Sequence, residues 1–166
     1  SYEDVALALR LVCSNVAAAL EQFYGYLVLS VLVRNGDAHL KNFAVLYDET
    51  RVWLSPLYDQ VTTTIYSYER PGGVESIDRT MALKLRRGGR SGEASRARSY
   101  PSLDELLAFG REVCGVYNPA AVVAQVAQRR RGEHVFGRRH RRPARARAVL
   151  GIEGCSALAH PRDGRR

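Results

Sequence analysis

Apolar positions recur at helical spacing over the opening stretch of the chain and at strand spacing just after it. Asp4 to Cys13 places Val5, Leu9 and Val12 on one helical face, with Glu3 and Asp4 in a first turn that favours negative charge. Asn15 is suited to cap a longer helix from Val16 to about Val33, with Val16, Leu20, Phe23, Leu27 and Val31 aligned. Tyr24, Leu29 and Leu32 widen that face, so the helix is expected to be buried on most sides. Arg34-Asn35-Gly36-Asp37 should stop it, because Asn and Gly tolerate the left-handed backbone that a helix end requires.

The period then changes. Phe43 to Tyr47 and Arg51 to Leu54 are short, rich in β-branched and aromatic residues, and separated by Asp48-Glu49-Thr50, which predicts a hairpin. Pro56 takes the chain out of the sheet, since it cannot donate to a central ladder. Val61 to Tyr66 reads as extended chain or loop, Pro71-Gly72-Gly73 as a turn, and Arg86 to Ser99 as a loop rich in Arg, Gly and Ser. Ser102 opens a helix through Cys114 with Leu103, Leu106, Leu107 and Phe109 inward. Asn118-Pro119 opens another with Val122, Val123 and Val126 inward. The fold class expected is mainly α with one small β-hairpin.

Charge divides the chain. From Arg129 onward lie 12 of the 25 basic residues and 3 of the 17 acidic ones, so this end carries +9 and residues 1–128 carry −1. Apolar periodicity stops at the same place. The domain is therefore expected to be 1–128, with 129–166 an Arg-rich tail, disordered or non-native, as when a GC-rich gene is read out of frame. No apolar run reaches the ~20 residues that a membrane helix needs, and no signal peptide is visible. Cys13, Cys114 and Cys155 have neither metal-ligand nor disulfide spacing, and are expected to be thiols of a reducing cytoplasm, two of them in the core.

The candidate chemistry sits between Asn35 and Asp59. Phosphoryl transfer needs a carboxylate to orient the attacking hydroxyl and oxygen ligands to hold Mg²⁺ on the phosphates. Asp37 and Asn42 stand in the D-x-x-x-x-N spacing of a protein-kinase catalytic loop. Antiparallel strands would return the chain from Leu54 to the neighbourhood of Phe43, so Asn42 and Asp59 could face one metal.

This ordered series resembles the C-terminal lobe of HipA-type serine/threonine kinases, the toxins of bacterial toxin–antitoxin pairs. The family pattern N-x-D-x-H-x-K-N, then a hairpin and L-x-P-x-Y-D, is read here as Asn35 to Asn42 and Leu54 to Asp59. The resemblance covers about residues 1 to 128, thinning through Met81 to Lys84 and the helix from Leu103 to Cys114. It implies a protein-kinase-like C-lobe with Asp37 as catalytic base. His39, Lys41, Asn42 and Asp59 would bind ATP, and Asn42 and Asp59 would also hold Mg²⁺. It further implies a protein substrate and a DNA-binding antitoxin as partner.

Other readings stand beside it. Nothing before Asn35 resembles a nucleotide-covering loop or its lysine, so the chain is expected to be a fragment without its N-lobe, weak or inactive alone. It would then serve as a kinase remnant that binds a partner. Its arginines could instead bind nucleic acid without sequence preference, although no reading helix or stacking platform accompanies them. A metal hydrolase built on His39, Asp37 and Asp59 would need further ligands, and His134, His140 and His160 all lie in the tail. Singly, His39 could be a structural hydrogen-bonder, Lys41 a solvated charge, Tyr58 a core residue and Lys84 a surface one.

Overall fold

The computed structural model describes residues 1–70, 73–77, 79–87, 98–130 and 147–151. Helix α1, Tyr2–Val12, starts earlier than its apolar pattern because its first N–H groups all find acceptors. Ser1 and Asp4 form a capping box, while Tyr2 and Glu3 donate their amides to the carbonyls of Lys84 (2.9 Å) and Leu85 (3.2 Å). Helix α2, Val16–Leu32, begins where Asn15 Oδ1 accepts from the Ala18 amide at 3.1 Å.

Strands β1, Ala44–Tyr47, and β2, Val52–Leu54, are antiparallel, with Val45 opposite Leu54 and Tyr47 opposite Val52. The connecting turn is held by Asp48, whose Oδ1 accepts from the amides of Thr50 (2.9 Å) and Arg51 (3.0 Å). Ser14 closes part of the outer edge of β2: its amide donates to the Val52 carbonyl at 2.9 Å, and its hydroxyl accepts from the Val52 amide at 2.8 Å. A second hairpin, β3, Ser67–Arg70, with β4, Val74–Ile77, turns through Gly73 at φ +76°. The sequence marks that turn but not its flanking strands, because neither strand alternates apolar with polar residues.

Helix α3, Leu103–Glu112, starts from a capping box of Ser102 and Glu105, and α4, Pro119–Arg130, from Asn118, whose Oδ1 accepts from the Ala121 amide at 3.1 Å. Leu103 is 59% exposed, not inward as its apolar character suggests: it stands in the first turn, ahead of the buried Leu106 and Phe109. Gly110 lets α3 meet α2, since a Cβ there would lie 2.7 Å from the Tyr24 ring and 2.8 Å from Pro119.

From the stretch expected to be patternless, the described residues supply the last two residues of α4, Arg129 and Arg130, and strand β5, Arg147–Gly151. This strand pairs antiparallel with β1 and makes a three-stranded sheet in the order β2-β1-β5. It occupies the β1 edge, whose backbone groups would otherwise lack partners. The rest of 129–166 lies outside the described residues, as do Cys155 and most of the Arg86 to Ser99 loop.

The core gathers one face of α1, most faces of α2, Leu106 and Phe109 of α3, Phe43, Leu54 and Met81. Phe43 matters most for the site. Its ring meets Tyr2 (6.2 Å, 83°) and Phe23 (5.4 Å, 72°) edge-on, arrangements contributing about 0.5–1.5 kcal/mol each beyond burial. Phe43 thereby fixes the residue before it, Asn42. Cys13 and Cys114 are buried, and burial pushes the Cys114 thiol up to about 12, which leaves it unreactive. Among the described residues no helix is long and apolar enough to cross a membrane.

Candidate active site

The site begins at the end of α2. The Arg34 amide donates to Val31 O (3.2 Å) and the Asn35 amide to Ser30 O (2.8 Å), the paired bonds of a Schellman stop. The left-handed residue of that stop is Arg34, at φ +57°, and not Asn35 or Gly36 as their chemistry suggests. Its guanidinium lies 4.6 Å over the Tyr100 ring, a cation–π contact that offsets part of the backbone cost. The stop sends Asn35 inward, where it is 0% exposed.

A buried amide must be paired, and Asn35 is paired on both sides. Its Oδ1 accepts from the Asp37 amide at 3.0 Å, and its Nδ2 faces the Asp59 carbonyl at 3.5 Å. Gly36 passes close beneath a threonine. Its amide donates to Thr63 Oγ1 at 2.9 Å, and a Cβ would sit 2.7 Å from both Thr63 Oγ1 and the Thr80 carbonyl. Ala38 is buried, and its carbonyl accepts from the Tyr2 hydroxyl at 2.9 Å. Residues Leu40–Asn42 make one 3₁₀ turn that delivers Asn42 to the core side and Lys41 to solvent.

The hairpin then brings the chain back. Ser55 donates its amide to Ala44 O at 2.8 Å, one step beyond the β1–β2 ladder. The next residues are tied down in turn. The Tyr58 hydroxyl donates to Lys41 O at 2.6 Å, Asp59 Oδ2 accepts from Asn42 Nδ2 at 3.0 Å, and Gln60 Oε1 accepts from the Ser30 hydroxyl at 3.0 Å. Asp59 itself is left-handed, at φ +55°, a conformation that Asp tolerates better than most residues. Burial, and then the negative charge of Asp59, push the Tyr58 phenol up.

The structure thus joins Asn42 to Asp59 directly and Asp37 to Asp59 through Asn35. The Asp37 side chain is 60% exposed, and its Oδ1 lies 3.7 Å from His39 Nε2, too far for a hydrogen bond. His39 is 43% exposed by its side chain, yet its Nδ1 is buried without a partner. Lys41 is exposed, and among the described residues its ammonium has no ion pair. Asn42 Oδ1 is also buried and unpartnered, because the amide's other end is committed to Asp59. Tyr58, expected in the core, is 42% exposed and acts instead as a clasp on Lys41. Lys84 is half-buried and contributes its carbonyl to the start of α1.

The orphaned Asn42 oxygen tests a metal. A hard cation such as Mg²⁺ takes one or two protein oxygens and fills its remaining positions from phosphate and water. Asn42 Oδ1 and the Asp59 carboxylate are such a set, and no cluster of three or more His, Cys, Asp or Glu with metal-holding geometry occurs among the described residues. A cavity of about 720 Å³ between α2 and α4, lined by Gln22, Gly25, Leu57 and Val126, shares no residue with the Asn35–Asn42 loop. Sequence reasoning missed Thr63 and Gln60 as supports of the loop. Gln60 follows Asp59 and Thr63 is the middle of three threonines, so no signal in the sequence singled them out.

A profile of the HipA-like C-terminal domain matches residues 1–134. A provisionally named kinase of Sinorhizobium fredii, Y4mE, is 33% identical over 83 residues, which are 50% of this chain and 20% of Y4mE. A second from the same organism, Y4dM, is 44% identical over 50 residues, 30% of this chain and 12% of Y4dM. The chain therefore spans a small part of the length of these relatives. Its mainly helical fold, the hairpin between Asn42 and Asp59 and the match over residues 1–134 agree: this chain belongs to the HipA-like C-terminal domain family.

Proposed function

We propose that this chain is the phosphate-handling, kinase-like C-terminal lobe of a HipA-type protein serine/threonine kinase, which transfers the γ-phosphate of ATP to a protein hydroxyl. The observation that carries the reading is the Asn42–Asp59 pair, closed by a 3.0 Å hydrogen bond and leaving Asn42 Oδ1 without a partner. Asn42 Oδ1 and the Asp59 carboxylate would hold Mg²⁺. When bound, that ion supplies neutralisation of the phosphate charge.

The chain's own residues do the rest. Asp37, exposed on the same loop, orients the attacking hydroxyl by accepting its hydrogen bond and receives its proton at a carboxylate oxygen. Lys41 offers an unpaired ammonium to the phosphates, and His39 an imidazole nitrogen beside Asp37. Asn35 and Tyr58 hold the two halves of the site together. By family membership the biological role proposed is that of a toxin, with a DNA-binding antitoxin as partner and a protein as substrate. No nucleotide-covering loop stands among the described residues, so the affinity of this chain alone for ATP is proposed to be low.

Calorimetric titration tests this. ATP added with Mg²⁺ should give saturable heat that is absent without the metal; no heat up to millimolar ATP in either case would remove the reading.

A further inference from the structure

Asn35 is the one fully buried polar side chain of the loop, and it touches neither expected ligand through a side-chain atom. Both of its contacts are to backbone: the amide of Asp37 and the carbonyl of Asp59. The orientation of its amide follows from these partners, because only Oδ1 can accept from the Asp37 N–H, which turns Nδ2 toward Asp59 O. Its own backbone is fixed by the Schellman bond to Ser30 O at 2.8 Å. The end of α2 is thus a rigid base from which one side chain reaches across to Asp59.

Asp59 needs such a hold. It is left-handed at φ +55° and exposed, a conformation that Asp tolerates but that costs less when neighbouring groups hold it. Neighbouring side-chain ties act on Tyr58 and Gln60, and the 3.0 Å bond from Asn42 acts on the Asp59 carboxylate. Asn35 is the side chain that faces the Asp59 backbone. At 3.5 Å that contact is long, so its role is to aim the carbonyl and not to add much stability.

We infer that Asn35 is a positioning residue for the Asn42–Asp59 pair: it sets the Asp59 backbone so that the carboxylate meets Asn42 Nδ2 and leaves Asn42 Oδ1 buried without a protein partner. Its use toward a cation rests on the kinase reading above; its hold on the pair does not. Asn35→Ser shortens the side chain below the reach of Asp59. Asn35→Asp keeps volume and the acceptor for Asp37 but has no N–H to give Asp59 O.

The test is a ¹⁵N-labelled full chain in which the Asn42 side-chain amide and the Asp37 backbone amide are followed with and without Mg²⁺. In both variants the Asn42 amide should move to the position of a free, rapidly exchanging amide while most of the spectrum stays. The concentration of Mg²⁺ that perturbs Asn42 should rise about tenfold or more, as for loss of other groups that orient metal ligands. An Asn42 amide unchanged in both variants would overturn the inference. So would a spectrum collapsed throughout in both, which would make Asn35 a residue of the fold at large. Should Mg²⁺ leave even the unsubstituted chain unperturbed while both variants still release Asn42, the kinase reading falls and the positioning role stands.

Discussion

The side chains of Asn42 and Asp59, 17 positions apart, are joined by a 3.0 Å hydrogen bond in which the amide donates to the carboxylate. The bond orients the amide: Nδ2 is given to Asp59, and Oδ1 is left as a buried acceptor with no donor. A buried acceptor without a partner costs about 1–3 kcal/mol. A cation placed there removes that cost, so the same geometry that costs stability in the bare chain would return it as affinity.

Asn42→Leu removes both the orphaned oxygen and the donor to Asp59. Hydrogen bonds to charged groups contribute about 1.5–3 kcal/mol, whereas relief of an unpaired acceptor offsets part of that. The variant should melt within a few degrees of the unsubstituted chain, but its melting temperature should no longer respond to Mg²⁺-ATP. Differential scanning calorimetry with and without nucleotide checks both halves.

Gly36→Ala tests the close approach beneath Thr63. The added Cβ meets Thr63 Oγ1 and the backbone carbonyl of Thr80 at 2.7 Å, and a backbone atom cannot swing aside. Destabilisation of about 1–3 kcal/mol is expected in chemical denaturation. Combining it with Thr63→Ala should not restore stability, since the Thr80 carbonyl remains; full restoration would contradict the geometry.

Tyr58→Phe deletes the 2.6 Å bond to the Lys41 carbonyl on a partly exposed side chain. The expected stability loss is about 0.5–1.5 kcal/mol. Amide exchange, measured by mass spectrometry, should quicken over residues 40–42 and 57–60 and stay unchanged in α1.

The start of α3 gives a pH dependence. The backbone amide of Ser102, and then its hydroxyl, hold the Glu105 carboxyl below its ordinary value near 4.5. A depressed folded-state value stabilises the fold above the unfolded value, and the gain is lost as pH falls through the folded one. Glu105→Gln should therefore flatten the acid limb of the melting profile below about pH 4.5. Ser102→Ala should cost about 1 kcal/mol at neutral pH.

Much of this was legible in the chain. Asn15, Ser102 and Asn118 each announce a helix start by offering a side-chain oxygen to orphaned amides, and each cap is present. The pairing of Asn42 with Asp59 follows from hairpin geometry, because antiparallel strands return the chain to its entry point. What the residues do not display is set by tertiary partners. Arg34 takes the left-handed position because the Schellman stop and the Tyr100 ring favour it there, against its own preference. Tyr58 reads as a core aromatic and becomes a clasp because Lys41 O lies within reach of its hydroxyl. Strand β5 holds a short apolar run, Ala148-Val149-Leu150, that is easily overlooked among the arginines, and it is placed by the open edge of β1. The β3–β4 hairpin was marked only at its turn, since neither strand alternates apolar with polar residues.

The most direct measurement of the central claim is the melting temperature of this chain with and without Mg²⁺-ATP, beside Asp59→Ala. A ligand at ten times its dissociation constant adds about 1.4 kcal/mol, or about 3–5 °C for a domain of this size. The account expects a rise of that order which requires Mg²⁺ and disappears in Asp59→Ala. A cooperative melt that millimolar Mg²⁺-ATP leaves unmoved, or a rise that survives Asp59→Ala, would contradict the assignment of Asn42 and Asp59 as the metal and nucleotide site.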